Sequence, residues 1–579
     1  MKLRTSFFNP TVLKKDITRF APIWAIYSVI CLLFLLGMAV TEPGANAQTV
    51  VDLVFMMASA NMLYAYICAI FLFGDLFKPR LCNALHAMPL RREGWFLTHL
   101  TAGALFCLMP NLLSACASCL FLQSYSAVAF FWLAITLLEF LFFFGVASFS
   151  AMCAGTRLGM TAVYLLVNYL SLIILLFVQS LFMPQLYGLQ LREEVFSFFC
   201  PVVKMTAILE ALFDININHS VWRQFGGENW LYLGGCAVIG LIFAGLGLLV
   251  YRKRKLEYAG DFLALKALSP VFLVLYTLVV ATPCYLLGSL GALWMGYLFL
   301  AVGVAVGFFT GRMFLERRVN VFKPKNLLGF GIFAVILTVS IGLTWLDPLG
   351  LTRYVPDTED IKVVRLYDGF VTENPLSVER GVLLSDPEDL ETITQVHEAL
   401  IAEKPPENYA ETFSVTLAYQ MKDGRYVYRY YDVASIGRES RALRPYFSRA
   451  GYVFGTDDWE SVARRTQGVL VRNYANDRHL NMGHKWFLEE WTPHKSTVYQ
   501  LELKDGDEAV LTGLLEALNK DCAAGNLPQP YQYYSATEEG YIELHLGNQE
   551  ELSIRYTKAA TNTTAYLEQL FQLAGAPTE

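Results

Sequence analysis

Charged residues are scarce in this 579-residue sequence, since Asp, Glu, Lys and Arg make up only 17% of it. Soluble domains commonly carry about 25% of these residues. The hydrophobic fraction is 55%, and the mean hydropathy is +0.40. This composition excludes an ordinary soluble protein and favours a polytopic α-helical membrane protein.

Signatures of the common nucleotide, metal and hydrolase sites are also missing. The chain has no GxxxxGK(S/T) loop, no GxGxxG fingerprint, no HExxH and no GxSxG. These motifs supply phosphate cradles, zinc ligands and activated serines. We therefore predict that the chain is not an enzyme, with no ATPase site, cofactor or metal of its own.

Cysteine is nearly absent from the C-terminal part, where Cys522 is the only one of 11 that follows residue 351. That part therefore has no internal disulfide. Most of the others lie in apolar runs, where they act as small hydrophobic residues. Cys116 and Cys119 share a CxxC spacing, but an apolar run without a βαβ pattern argues against a redox or metal role.

The net charge of −6 hides a division of the chain. Residues 1–351 hold 23 Lys and Arg against 15 Asp and Glu, whereas residues 352–579 hold 22 against 36. A basic, apolar part is thus followed by an acidic part of ordinary polarity. The acidic surface argues against nucleic acid as a partner.

Nine apolar runs have the length needed to cross a bilayer. They cover about 22–40, 51–74, 97–121, 126–152, 160–184, 229–251, 270–290, 292–310 and 327–347. With the N-terminus inside, 20 Lys and Arg fall in cytoplasmic segments and only three in outer loops. This bias follows the positive-inside rule and predicts a C-terminal domain outside the membrane. Alternatively, the two apolar runs at 270–310 form one re-entrant segment instead of two spans.

Two other segments have short apolar stretches. Residues 9–20 begin with Asn9 and Pro10, which suit a helix start, and carry one apolar face. We predict an interfacial helix on the inner leaflet. In the outer segment 185–228 the apolar stretches are too short to span, which predicts two re-entrant helices in the outer leaflet or a cap that packs on itself.

The least lipid-like stretch of the N-terminal part is 75–94, DLFKPRLCNALHAMPLRREG. Leu81, Leu85 and Met88 are spaced to form one face of a short helix, and Pro89 would end it. Basic residues place the stretch on the cytoplasmic side. Two interpretations stay open: a handle for a soluble partner, or a basic loop that only sets the topology.

Glu139 is the one acidic residue in the middle of an apolar run, within TLLEFLFFF. An ionisable side chain at this depth faces the bundle interior or a water-filled cavity. It either contacts a substrate or carries a proton, or it serves as an interhelical hydrogen-bonding group with a residue such as Asn61 or Asn168. Together the three residues form a possible intramembrane polar site.

Residues 352–579 predict an α+β domain. Alternating apolar residues at 413–419, the turn Asp423-Gly424 and a second alternating run at 427–431 predict a hairpin. Amphipathic helices are predicted at 386–401, 505–521 and 561–575. We expect two related halves, 361–467 and 498–575, each with the order strand, helix, hairpin, helix.

The assembled pieces resemble an ABC-2 type transporter permease, and in particular the Ytr-like group of Gram-positive bacteria. FFNPTVLKKDITRF (7–20), HAMPLRREG (86–94) and YRKRKLEYAGDFLALKALSP (251–270) carry the resemblance. It implies a six-helix permease core at 1–251, with an interfacial helix at 9–20, a coupling helix at 76–92 and outer re-entrant helices at 185–228. Basic loops and three further helices would follow at 252–351, and an extracytoplasmic domain at 352–579.

The resemblance implies a subunit of an ATP-driven exporter in the plasma membrane of a Gram-positive bacterium. A separate ABC ATPase subunit would bind ATP and Mg²⁺ and dock on the coupling helix, and a second permease, identical or related, would complete the complex. The residues that this assigns to ATPase coupling are Phe77, Arg80, Leu81, Leu85, Met88, Arg91, Arg92 and Glu93. The three apolar residues of the helix would fill a groove of the ATPase or face the bundle.

Two other functions compete with export of an envelope-related or antimicrobial substrate. The first is a membrane-anchored sensor or scaffold whose outer domain binds an envelope ligand. The second is a membrane enzyme, which the missing catalytic motifs disfavour. Six spans before the basic segment at 251–270 are more than anchoring requires, and this favours the permease.

Overall fold

The computed structural model describes residues 8–40, 57–87, 91–121, 126–189, 193–210, 225–291, 293–368, 381–402, 412–434, 438–447, 449, 459–473, 478–483, 497–503, 508–527, 540–546 and 550–575. The chain forms two compact units. The first contains Met1–Phe182 and Glu193–Ile341, and the second contains Met183–Arg192 and Gly342–Glu579. The second unit thus starts earlier than the predicted residue 352 and takes in part of the loop at 185–228.

Helices make up most of the described part of the chain before residue 347. Its helices are α1 (Pro10–Arg19), α2 (Ala21–Val40), α3 (Met57–Leu72), α4 (Pro79–Ala87), α5 (Arg92–Phe121), α6 (Ser126–Cys153), α7 (Arg157–Asn168), α8 (Leu170–Leu181), α9 (Glu193–Phe198), α10 (Pro201–Glu210), α11 (Gly227–Lys253), α12 (Ser269–Ser289), α13 (Leu293–Glu316) and α14 (Pro324–Leu346). A helix satisfies its own backbone groups, which is what a chain needs inside a bilayer.

Among the described residues, six helices are long and apolar enough to cross a membrane, and two bent pairs would raise the number to eight. The bends are 61° between α1 and α2 and 65° between α7 and α8. A multi-pass membrane protein is therefore confirmed. The count of nine stays a prediction, because the run at 51–74 is described only from Met57. The pair at 270–310 forms two helices of 21 and 24 residues rather than one re-entrant segment.

The core of the first unit is built around α6 and α11. Gly145 on α6 and Gly240 on α11 meet so closely that a Cβ added to Gly145 would lie 1.9 Å from the carbonyl oxygen of Gly240. Small residues at such crossings let two helix backbones approach in the membrane. Large buried aromatic side chains of α6, among them Phe140, Phe143 and Phe144, belong to the same apolar core.

The short segments largely form the helices that their patterns predict. Asn9 caps α1, because its side-chain oxygen accepts hydrogen bonds from the backbone N–H groups of Thr11 and Val12. The outer segment contains α9 and α10, while residues 211–224 lie outside the described part. The predicted bounds 76–92 of the coupling helix are too wide. A 3₁₀ turn at Gly74–Phe77 precedes α4, and Arg92 already begins α5.

The described residues of the second unit form two sheets. The first is antiparallel, and the second is antiparallel except for one pair of strands. The first has the strand order β2-β1-β3-β4 and the second has the order β7-β6-β5-β8-β9. The strands are β1 (Ile361–Asp368), β2 (Val382–Leu384), β3 (Thr412–Met421), β4 (Tyr426–Ala434), β5 (Thr466–Asn473), β6 (Arg478–Gly483), β7 (Thr497–Glu502), β8 (Gly540–Leu546) and β9 (Glu550–Tyr556). The helices are α15 (Pro387–Ala402), α16 (Arg438–Phe447), α17 (Trp459–Arg465), α18 (Glu508–Ala523) and α19 (Thr561–Leu573).

The two sheets share a chain order, but the halves differ from the predicted ones. β1 and β2 are followed by α15, the β3–β4 hairpin and α16, while β5 and β6 are followed by α18, the β8–β9 hairpin and α19. The second half therefore begins at Thr466 rather than at residue 498. β7 is an added edge strand that runs parallel to β6. The sequence pattern predicts the wrong start for the second half because β7, not β5, directly precedes the amphipathic helix α18.

A histidine lies between two tyrosines in the core of the first sheet. His397 on α15 is fully buried, and its ring nitrogens lie 2.9 Å from the hydroxyls of Tyr419 and Tyr431. Burial lowers the pKa of His397 to about 3, and the charge of nearby Arg429 acts in the same direction. The imidazole is therefore neutral in the folded protein.

This buried histidine predicts a pH dependence of stability. Between pH 6.5 and 3 the unfolded chain binds a proton that the folded protein does not, so the stabilisation is complete above pH 6.5 and falls as the pH is lowered. We expect a loss of about 1.4 kcal/mol per pH unit in the free energy of opening α15. Hydrogen exchange, corrected for the intrinsic rate, measures this opening. A His397→Gln variant should lose the slope between pH 6.5 and about 5, above the range in which carboxylates such as Asp389 titrate, and an unchanged slope there would contradict the assignment.

Candidate functional site

Helix α4 lies at what we call the basic end of the first unit, formed by residues 74–94, 151–157, 251–268 and 312–325. Contacts join these segments: Arg254 bonds to the carbonyl groups of Ala151 and Leu76, and Arg317 bonds to that of Gly260. The same segments carry most of the Lys and Arg of the N-terminal part. The positive charge of the first unit is therefore concentrated at this end.

Two faces of α4 differ in exposure. Cys82 is buried and His86 is half-buried, and their spacing of four residues places them on one side. Arg80 and Asn83 are exposed, and Leu81 is 42% exposed. The helix thus presents a mixed basic and apolar surface outward while its other side rests on the bundle.

The inner face of α4 is held by a hydrogen-bonded histidine. Nδ1 of His86 lies 2.7 Å from the carbonyl oxygen of Cys82, so this nitrogen carries the proton, and Nε2 accepts from the Tyr251 hydroxyl at 3.2 Å. Burial lowers the pKa of His86, and Arg92 and Arg254 lower it further, which keeps the ring neutral at pH 7. Tyr251 is only 1% exposed, so α4 is attached to the buried end of α11.

Arg92 caps the C-terminal end of α11. Its Nη1 donates to the carbonyl oxygens of Tyr251, Arg252 and Arg254 at 3.0–3.2 Å. A guanidinium suits this position because the last carbonyl groups of a helix lack intrahelical partners and carry a partial negative charge. Next to it, Glu93 pairs with Arg252 at 3.0 Å. The start of α5 is thus joined to the end of α11.

Arg254 connects three segments from a buried position. Its Nη1 donates to the carbonyl oxygens of Ala151 and Met152 at 3.0 and 3.2 Å, and its Nη2 donates to that of Leu76 at 3.2 Å. The first two belong to the last turn of α6, and the third to the 3₁₀ turn before α4. Arg254 therefore fixes α4 relative to α6 and α11.

The segment after α11 crosses the turn between α6 and α7. Ala154 and Leu263 form an antiparallel bridge, and the N–H of Gly260 donates to the carbonyl oxygen of Gly155 at 2.8 Å. A Cβ at Gly155 would lie 2.3 Å from the carbonyl oxygens of Tyr258 and Asp261, so glycine is required there. Between α11 and α12, residues 254–268 form this paired segment and two short 3₁₀ turns rather than an α-helix.

The structure divides the residues assigned to ATPase coupling into different groups. Arg80, Leu81 and Arg91 are exposed. Phe77 is 7% exposed and lies in the apolar core, so its side chain is not part of the outer surface of α4. Arg92 and Glu93 already bind the end of α11. The side chain of Leu85 and all of Met88 lie outside the described part of the chain.

The predicted intramembrane polar site is brought together only in part. The side-chain amide of Asn61 on α3 donates to Glu139 on α6 at 2.6 Å, and Glu139 is fully buried. Asn168 is buried but donates to the carbonyl oxygen of Tyr164 instead. Oε1 of Glu139 has no hydrogen-bond partner among the described residues. The pair links two helices, and its role in transport stays a prediction.

Sequence reasoning missed Tyr251 and Arg254, and it assigned Arg92 to the outer surface. The signal for them in the sequence is the basic cluster RKRK at 252–255, within the motif at 251–270 that carries the family resemblance. An arginine directly after an apolar helix is placed to cap helix ends, and Arg254 does so for α6. Charge counting does not distinguish such a cap from an arginine on the outer surface.

Comparisons with protein-family models, with curated proteins and with solved structures give no match to this chain. The likeness to ABC-2 type permeases thus depends on the sequence motifs at 7–20, 86–94 and 251–270. The contacts at the basic end are an observation independent of these motifs. They leave the side of α4 that carries Arg80 and Leu81 exposed.

Proposed function

We propose that this chain is the membrane-spanning permease subunit of an ATP-driven ABC exporter. The observation that supports it best is α4, a short helix attached by Cys82 and His86 and exposing Arg80 and Leu81. A helix with this arrangement offers a partner both an apolar contact and a charge. A loop that only sets topology needs neither the buried attachment nor an exposed leucine.

The attachment of α4 suggests how force would reach the bundle. The His86–Tyr251 hydrogen bond joins α4 to α11, and Arg254 joins the turn before α4 to α6. Arg92 joins α5 to α11. A displacement of α4 by a separate ATPase that binds ATP and Mg²⁺ would therefore move three long helices together. Closure of two ATPases under two such permeases, identical or related, would drive export or extraction of an envelope-related or antimicrobial substrate.

The orientation in the membrane follows from the charge bias. We place the N-terminus and the basic end in the cytoplasm, because translocation disfavours Lys and Arg in short loops. The acidic C-terminal unit then lies outside the plasma membrane, and the sequence motifs favour a Gram-positive bacterium.

Replacement of the outer face of α4 tests the permease proposal. We expect Arg80→Glu/Leu81→Glu to abolish co-purification of the ATPase encoded beside this chain and to lower its stimulated turnover at least tenfold, about 1.4 kcal/mol or more. Opposite charge and a lost apolar contact both disfavour docking. Turnover and co-purification in lipid nanodiscs measure the effect.

The matched control is Arg318→Glu/Val319→Glu. Arg318 and Val319 are adjacent in the chain, and both are also exposed at the basic end. This variant should retain ATPase binding. If the control loses binding equally, the basic end attracts the ATPase only by its charge. If wild-type protein binds no ATPase, the permease proposal fails.

A membrane-anchored sensor or scaffold is the second candidate, and one observation favours it. Directly after α8, the carbonyl oxygen of Gly188 accepts from the N–H of Tyr430 on β4 at 3.1 Å, and the Tyr187 and Tyr431 rings lie 5.2 Å apart. Ligand binding that shifts β4 would therefore displace Tyr187 and Gly188, which lie in the same compact unit and follow α8 in the chain. Binding of envelope fragments without any ATPase partner would place this function first.

A further inference from the structure

A cavity of about 520 Å³ opens at the basic end between α6, α11 and residues 264–267. One side of the cavity is apolar and includes Phe149, Leu246 and Leu249. Leu246 and Leu249 are 43% and 52% exposed although they lie on a helix that can span the membrane. The cavity therefore opens toward the region where lipid chains surround the bundle.

The polar end of the cavity is basic. Lys253 and Lys255 are exposed at the end of α11, and both line the cavity. Lys266 also lines it but is bound to Asp261 at 2.7 Å. No Asp or Glu is among the described residues that line the cavity. Two lysines without a described acidic partner thus face a space that is apolar at its other end.

A buried donor in the same wall adds to the positive charge. Arg254 lines the cavity and is 7% exposed. Its Nη atoms bind carbonyl groups, but its buried Nε–H has no hydrogen-bond partner among the described residues. A buried donor without a partner costs free energy. An anionic oxygen in the cavity would accept a hydrogen bond from this N–H or be attracted by the charge of the guanidinium.

We propose that this cavity binds an anionic phospholipid. Its phosphate lies against Lys253 and Lys255, and an acyl chain follows Leu246 and Leu249 along α11. Basic pockets between membrane helices favour such headgroups, because each lysine near an anionic lipid contributes attraction that a zwitterionic lipid lacks. The apolar wall favours a lipid over a free phosphate ion, which would leave that wall without a partner.

Native mass spectrometry of the purified full chain tests this site without any ATPase, so its outcome is separate from that of the permease proposal. Phosphatidylglycerol should bind in preference to phosphatidylcholine with the same chains. Lys253→Ala/Lys255→Ala should raise the half-saturating concentration of phosphatidylglycerol by about fivefold for each lysine, or ~25-fold in total. Lys14→Ala/Lys15→Ala, which removes two neighbouring exposed lysines from α1, should leave this concentration nearly unchanged.

Three further measurements separate the sources of the phosphate and guard against misfolding. Inorganic phosphate and glycerophosphoglycerol, which has the headgroup without chains, should not displace phosphatidylglycerol. Ala267→Trp, at an exposed position of the lining, should weaken lipid binding without removing charge. Thermal unfolding in detergent checks that each variant is folded. Equal binding of both lipids, displacement by the soluble anions, or unchanged binding in folded Lys253→Ala/Lys255→Ala and Ala267→Trp proteins would each overturn the proposal.

Discussion

Gly240→Ala is expected to prevent α6 and α11 from packing in their native arrangement. A Cβ at residue 240 would lie 2.4 Å from the carbonyl oxygen of Leu141 and from the Cα of Phe142. Both are backbone atoms, so no side-chain rotation relieves the overlap. The two helices would have to separate by about 1 Å to restore normal contact distances.

The expected cost is large because the contact lies in the centre of the first unit. Overpacking a well-filled core typically costs ~1–3 kcal/mol, and a clash between backbones belongs at the upper end of this range or beyond. We expect most of the Gly240→Ala protein to aggregate on extraction. Size-exclusion profiles and thermal unfolding in detergent measure the folded fraction.

Gly245 on the same helix provides the control. A Cβ added there would meet nothing within 4 Å. Gly245→Ala should therefore match the wild type in yield and unfolding temperature. Similar losses in both variants would mean that helix α11 is sensitive to alanine in general, and the proposed close contact with α6 would be wrong.

Arg254→Met is expected to destabilise the basic end by about 3–5 kcal/mol, since it removes three charge-assisted hydrogen bonds and leaves their acceptors without donors. The end of α6 shows why. The carbonyl oxygen of Ser150 accepts from Ala154, and that of Cys153 accepts from Ala264 and Leu265. The remaining two carbonyl groups of that last turn, those of Ala151 and Met152, are the ones that Arg254 binds.

The measurement for Arg254→Met is hydrogen exchange at residues 74–87 and at the end of α6, together with the unfolding temperature. Exchange should rise in both segments, because the same side chain holds both. Arg252→Met is the matched control: this arginine is half-exposed and binds Glu93, and an exposed ion pair contributes about 0–1 kcal/mol. If exchange rises only at α6, Arg254 does not hold the turn before α4.

The C-terminal unit shows which features local pattern can predict. The alternating residues at 413–419 and 427–431 form β3 and β4, and the Asp423-Gly424 turn connects them, with φ of +88° at Gly424. Helix α15 lies within a residue of its predicted bounds. Alternation and turn chemistry act between neighbours along the chain, so sequence carries this information. The choice of β5 rather than β7 as the partner of β8 depends on contacts between distant segments.

For the membrane unit, composition and apolar run length alone determined that the chain crosses a membrane many times, because burying so many apolar residues leaves few other solutions. The tertiary structure decided what the charged residues at the basic end do. Arg92 reaches Tyr251 across 159 positions of the chain, and Arg254 reaches Leu76 across 178. A count of positive charges gives the side of the membrane, but whether an arginine faces a partner or caps a helix depends on which helix ends the fold brings within hydrogen-bonding distance of it.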